Sequence, residues 1–310
     1  MSFTPVTDNA REEVAVKAAA KGRSLWDDAR RRLFNNRAAV VSMIVLVVYL
    51  AIAILGQLIW PHDFRTQYDD RVGIPPTFEH LHIFGTDYLG RDLFARTLIG
   101  FLVSLAVGVV ATVISLIIGV AWGAVAGYVG GRVDQIMMRI VDVIYSLPYV
   151  FLVILLLAVT QDFTQGQPFL KLLILFGAIG GVQWLTMARI VRGQTLSIRR
   201  REFVEAAIAG GATGAQVIRR HVVPNVLGPV VVYMTLTIPV VILAESFLSF
   251  IGLGVQEPIT SLGSLIKNGS DDMELMPWTL IAPAFVMMTT LLCFNFIGDG
   301  LRDAIDPKDR

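Results

Sequence analysis

Charge and cysteine are both scarce in this chain. Only 16% of its 310 residues are charged, where a soluble domain averages roughly 25%. In turn 55% are hydrophobic and the mean hydropathy is +0.65. Such an excess of apolar surface needs lipid, and a net charge of +1 offers nothing to nucleic acid. The single cysteine, Cys293, lies in an apolar run, so no disulfide framework forms within one chain. It reads as a small core or lipid-facing residue. Enzyme motifs are missing too. No Gly-x-x-x-x-Gly-Lys-Ser/Thr loop is present to cradle a nucleotide's phosphates. There is no His-Glu-x-x-His metal motif, and His62, His80, His82 and His221 are not spaced as ligands. No histidine falls within an apolar run, which excludes an intramembrane Ser/His protease. The chain therefore reads as a non-enzyme with no metal or cofactor of its own. A cleaved leader is not expected either, because the first apolar run starts near Val40, is too long, and lacks a small-residue cleavage site.

What the chain does have is long apolar runs. A helix crossing a hydrocarbon core of about 30 Å needs roughly 20 mostly apolar residues. Six runs qualify, at 39–60, 99–128, 136–160, 171–191, 228–253 and 278–298. They predict an all-α, polytopic membrane protein with six transmembrane helices. Pro148, Pro239 and Pro283 fall within or near the later runs, where neighbouring helices can satisfy the freed carbonyls. Of the 26 Lys and Arg residues, 20 fall in the leader, in 129–140, in 189–220 and in the tail. Basic residues are retained in cytoplasmic segments, so both termini are expected inside, with outer segments near 61–97, 161–170 and 254–277. In the leader, Leu25, Trp26, Ala29, Leu33 and Phe34 recur at near-helical spacing among Arg30, Arg31 and Arg32. They predict an amphipathic helix at the inner surface, either a topological retention signal or a regulatory element.

Charged residues near the bilayer need partners. Glu245 falls well inside the fifth span, where an ionised carboxylate facing lipid costs at least about 2 kcal/mol. It either faces a cavity or a partner, or it hydrogen-bonds Ser246, Ser249 or a neighbouring span. Asp142 and Arg139, three residues apart, are expected to pair. Asp299, Arg302 and Asp303 read as interfacial anchors.

The loop before the fifth span is long and basic. Phe203, Val204, Ala207 and Ile208 predict a helix with a greasy face outside the bilayer, and an exposed greasy face invites a partner. Gly210 and Gly211 supply a helix stop. Ile218 and His221 then begin a second helix leading to Pro224 and Asn225. The stretch resembles the EAA loop of ABC importer permeases, a Glu-Ala-Ala followed at set spacing by Gly and by Leu-Pro. Glu205, Ala206, Ala207, Gly211 and Pro224 fit, whereas His221 stands at an aliphatic position and Val223 at the Leu. The resemblance implies a coupling helix seated on a nucleotide-binding subunit, with Ala206 and Ala207 allowing close approach and Glu205 offering a charge.

The outer segment repeats the theme. Gly85-Thr86-Asp87 and Gly90-Arg91-Asp92 resemble the signature of dipeptide and oligopeptide permeases. Thr86 and Asp87 can cap a helix start, and Arg91 is placed to pair with Asp87 or Asp92. The segment is either a rigid corner or a substrate contact. Gly22 to Trp26, Asn36 to Ala39 and Phe296 to Asp303 extend the likeness to the C-type permeases of the oligopeptide/dipeptide family, which are binding-protein-dependent inner-membrane components.

That family implies a type I ABC importer permease fold. The divisions would be a cytoplasmic leader 1–38, a first helix 39–60, a periplasmic segment 61–98, a five-helix core 99–300 with its coupling loop at 193–226, and a tail 301–310. It implies a bacterial inner-membrane permease for oligopeptides, paired with a second homologous permease. Two ATP-binding subunits would hold ATP and magnesium, and a periplasmic or surface solute-binding protein would deliver the peptide. Dipeptides, murein peptides or nickel are alternative cargoes of the same machinery. An ion-driven secondary transporter predicts inverted repeats with buried acids; no internal repeat is seen, and only Glu245 and Asp142 offer such acids.

Overall fold

The computed structural model describes residues 25–164 and 166–305, and every regular element among them is helical. In chain order they are α1 (Leu25–Asn35), α2 (Arg37–Ile59), α3 (Leu93–Val129), α4 (Gly131–Tyr145), α5 (Tyr149–Thr164), α6 (Pro168–Ile198), α7 (Glu202–Ala209), α8 (Gly214–Val217), α9 (Val223–Phe250), α10 (Leu262–Asp271) and α11 (Trp278–Ile305). The first part of the leader and residues 306–310 of the tail lie outside the described residues.

Among the described residues, five helical stretches are long and apolar enough to cross a membrane: α2, α3, α6 from Phe169, the rod Gly214–Phe250, and α11. The sixth expected span exists only as a bent pair, α4 and α5, turned by 81°. The expectation of one helix across 136–160 is thus corrected. Pro148 has no N–H and disfavours helical backbone at Leu147, so the chain breaks between Tyr145 and Tyr149 instead of bridging the proline. The break also separates chemistry, because α4 carries Arg132, Asp134, Arg139 and Asp142 while α5 opens on thirteen uncharged residues.

Other spans are longer than their apolar runs. α3 begins at Leu93 because the Asp92 side chain accepts from the Ala95 N–H at 2.8 Å, capping the first turn. It ends at Gly130, whose φ of +69° is open to glycine at little cost. α9 contains Pro229 and Pro239 and starts beside Pro224. Ahead of them a π turn, Ile218–Val222, lets the Val223 N–H reach the Ile218 carbonyl, so α8 and α9 continue as one rod.

In lipid, apolar burial between helices gains little over contact with acyl chains, and close packing of small residues takes over. Gly119, Gly123 and Gly127 place one glycine per turn along α3. A Cβ at any of them would collide with α6, at Met187, the Ala188 carbonyl and Thr195 respectively. Around this seam Val107 and Ala111 of α3, Leu175 and Ile179 of α6 and Val241 of α9 form the main core. α2 stands apart, burying only Ala39, Ser42 and Ala53. α1 is the expected amphipathic helix, and its Leu33 packs beside Gly300 of α11.

Candidate functional site

Two regions at opposite ends of the bundle carry the residues the sequence singles out. At the loop end, α7 starts with Glu202 and Glu205 in its first turn, where carboxylates complement the helix dipole. Its end is a Schellman arrangement: the Gly211 N–H reaches the Ile208 carbonyl at 3.0 Å and the Ala212 N–H reaches the Ala207 carbonyl at 3.0 Å. Gly211 has φ +85°. The next helix starts earlier than expected, at Gly214, because Thr213 and Gln216 form a reciprocal capping box. It then runs through His221 and Pro224 into α9, where the Asn225 side-chain amide donates to the His221 carbonyl at 2.6 Å.

The greasy face of α7 is divided, which corrects its reading as one exposed stripe. Val204 is fully buried against Val217, Val222, Val226 and Val230, together with Val120, Ala124 and Met187 of the spans. Phe203 and Ile208 remain 43% and 48% exposed, beside exposed Glu205 and Ala206 and half-buried Ala207. His221 lies next to Phe203, ring centroids 6.2 Å apart. One valine joins the helix to an apolar cluster that draws on three spans, and most of the helix is presented outward.

At the far end the polarity is reversed. Asp87 is buried and accepts from the Leu89 and Arg91 N–H groups at 2.9 Å through Oδ1, and from Arg91 Nε and Arg96 Nη1 at 2.8 Å through Oδ2. Arg91 Nη1 also donates to Glu257 Oε1 at 2.7 Å, tying the segment to the loop between α9 and α10. Burial opposes the Arg91 charge, but Asp87 and Glu257 outweigh it, and its pKa lies above the ordinary arginine value. The sequence left Arg91 a choice of Asp87 or Asp92; it takes Asp87, and Glu257, 166 positions away, had no local signal. The helix cap is Asp92, not Thr86 or Asp87. The Thr86 hydroxyl instead donates to the Arg71 carbonyl and accepts from the Ile74 N–H. Gly85 and Gly90 have φ of +79° and +69° at the two tight turns.

Sequence spacing gave no reason to join His62 to His82, yet with Asp92 their donor atoms lie within 4.8 Å of one another. The His82 Nδ1 to Asp92 Oδ1 distance is 2.8 Å, Asp92 Oδ2 accepts from Trp60, and His62 is engaged at both nitrogens by Tyr68 and the His80 carbonyl. The two imidazoles stack at 4.4 Å with planes 23° apart. Lone pairs lying in near-parallel planes do not converge on one ion. The cluster reads as a hydrogen-bonded frame for the start of α3, with only His82 Nε2 among its donor atoms left without a partner.

Glu245 is enclosed within the chain, with no exposed surface. Its carboxyl meets the Ser249 hydroxyl at 2.6 Å and the Ser104 hydroxyl of α3 at 3.3 Å, and Ser104 in turn accepts from the Leu262 N–H at the start of α10. The hydrogen-bonded reading accounts for these contacts, and through them one side chain joins three helices. The Arg139–Asp142 pair is corrected: Asp142 pairs with Arg189 of α6 at 2.8 Å, and Asp134 pairs with Arg192. Both pairs clamp α4 to α6 rather than bridging turns of one helix.

A family model described as "Binding-protein-dependent transport system inner membrane component" matches residues 119–310, and one for the N-terminal TM domain of oligopeptide transport permease C matches residues 24–76. The chain is 51% identical to the oligopeptide transport system permease protein OppC of Escherichia coli K12, over 100% of both chains. It is 44% identical to the dipeptide transport system permease protein DppC of Bacillus subtilis, over 93% of this chain and 87% of that one. Its fold is similar to a chain in the inward-facing structure of the MetNI methionine ABC transporter, with a TM-score of 0.56, 20% identity, and coverage of 69% of this chain and 98% of that one.

Proposed function

Because the chain belongs to the family of inner-membrane components of binding-protein-dependent transport systems, we propose that it is one permease of an ATP-driven importer of oligopeptides, coupled to an ATPase subunit through α7. The observation that carries the coupling is the divided helix. Val204 is buried among residues of α3, α6 and α9, so force applied to α7 reaches three spans, while Phe203, Glu205, Ala206 and Ile208 are free to meet a partner. Two ATPases would bind ATP and magnesium, a second permease would complete the path, and a solute-binding protein would dock on the opposite side. ATP and the loaded binding protein would each favour one of two states. The distribution of Lys and Arg supports termini on the cytoplasmic side. Oligopeptides are favoured as cargo by the full-length relative; the dipeptide relative makes dipeptides the second reading.

The test is ATP-dependent uptake of labelled tri- to pentapeptides by vesicles containing the complete importer. Glu205→Lys changes an exposed side chain, so the complex should assemble and uptake should be lost. Uptake that survives in an assembled variant removes the coupling role. A wild type that moves dipeptides but no longer peptide replaces the cargo.

A further inference from the structure

Resting on that reading, we propose that the cavity between α6, α9 and α11 at the loop end is an inner subsite of the peptide path, where Arg302 takes the peptide's terminal carboxylate and Gln194 faces its backbone. The cavity measures about 680 Å³, and Ile190, Val232 and Leu236 supply apolar wall between the polar groups. It is an open groove rather than a closed chamber, and Arg302 stands exposed at its edge; its size falls within the roughly 300–1,000 Å³ of small-ligand sites, with the same mixture of apolar wall and few polar groups.

The chemistry suits a ligand whose side chains vary. Peptides of unrelated sequence share only their amide backbone and their charged ends. Gln194 offers both a donor and an acceptor, while the Tyr233 hydroxyl is held within the chain by Thr186 and Thr237, so this residue contributes its ring to the wall. Arg302 offers only donors, in a planar fork that matches a carboxylate. Arg189 and Arg192, also on α6, are each engaged by an aspartate. Arg302 has no ion pair among the described residues although Asp299 and Asp303 are close in sequence, and it lines the cavity.

Position adds a mechanical argument. The α9 wall of the cavity begins at Pro229, one turn beyond Pro224 and Asn225. Val226 and Val230 in that stretch share a buried cluster with Val204 of α7. Pro224 and Pro229 remove two backbone donors within two turns of the rod, which makes this stretch easier to bend than an uninterrupted helix. Displacement of α7 therefore moves the wall that carries Tyr233, and the subsite would change shape as the ATPases close.

The experiment uses the complete importer in proteoliposomes and one peptide, supplied as the free acid and as its C-terminal amide. The same binding protein delivers both, so a change in their ratio between wild type and variant belongs to this chain. Arg302→Gln should slow the free acid about tenfold more than the amide, the size expected for losing a charge-assisted bond, and Arg302→Lys should restore part of the preference. In a Cys293→Ala background, Gln194→Cys should crosslink to a thiol-reactive peptide in competition with unlabelled peptide. Equal slowing of both peptides by Arg302→Gln, or no change in either, overturns the assignment. So does crosslinking of Gln194→Cys by a reactive anionic phospholipid but not by peptide, which would make the cavity a lipid groove. A wild type that transports neither form sinks the importer reading itself, a different result from transport with an unaltered ratio.

Discussion

Residues 85–92 keep their charges inside the protein, whereas residues 202–211 hold theirs outside. In the first, Asp87, Arg91 and Asp92 are all buried and each has several partners; those of Asp87 are local, while Arg91 reaches Glu257 and Asp92 reaches Trp60. In the second, Glu202 and Glu205 are exposed and a single buried valine fastens the helix. A segment made of interlocked buried charges has one geometry and loses much if altered. A helix held by one apolar pin can be pushed without breaking its own hydrogen bonds. The contrast separates a frame from a lever, and substitutions in the two regions should differ in kind.

The largest effect is expected at Asp87. Asp87→Ala leaves Arg91 and Arg96 with only the half-exposed Glu257 as counter-charge. Removing one partner of a buried ion pair costs about 3–5 kcal/mol, so thermal melting of the purified complex should fall sharply and little should reach the membrane. A variant that melts with wild type would show that the far end is not a frame.

Next come two neighbours on α7. Val204→Ala empties part of a closed apolar site and should cost about 2 kcal/mol, seen as a lower melting temperature. Phe203→Ala, at a side chain 43% exposed, should leave stability within about 0.5 kcal/mol while abolishing peptide-stimulated ATP hydrolysis by the complex. The comparison breaks if Phe203→Ala destabilises as much as Val204→Ala, or if it leaves the ATPase response intact.

Much of this was legible because it is local. Five of the six expected spans follow from apolar length, the helix stop at Gly210 and Gly211 from glycine's backbone freedom, and the loop and far-end signatures from short contiguous motifs. The unread part is long-range. Glu257 joins Arg91 across 166 residues, Arg189 reaches Asp142 across 47, and His62 stacks on His82, each set by packing of spans that no window of sequence contains. The division of α7 was missed for a related reason: Val204 and Ile208, one turn apart, look alike in sequence, and only the neighbouring spans decide which is covered. At Pro148 an available rule was outweighed, since the apolar run on both sides suggested continuity and the proline broke it.

The smallest effect is expected where α4 meets α6, and it tests how far the frame extends. Arg189 and Asp142 form a 2.8 Å pair, but their side chains are 38% and 54% exposed. At such exposure solvent and salt screen the attraction, and the pair is worth roughly 0–1 kcal/mol. Arg189 also sits over the Tyr145 ring at 4.2 Å, a contact that exposed positions value at about 0.5–1 kcal/mol. Arg189→Gln should therefore lower the melting temperature of the complex slightly, and less at high salt than at low salt, because salt has already weakened what the substitution removes. Placement of α4 does not depend on this pair alone, since Asp134 and Arg192 hold the same two helices closer to the α3–α4 turn. A loss approaching that of Asp87→Ala, insensitive to salt, would mean that the pair is enclosed in the assembled complex. The frame would then reach to the loop end, leaving a smaller part of that half free to move with α7.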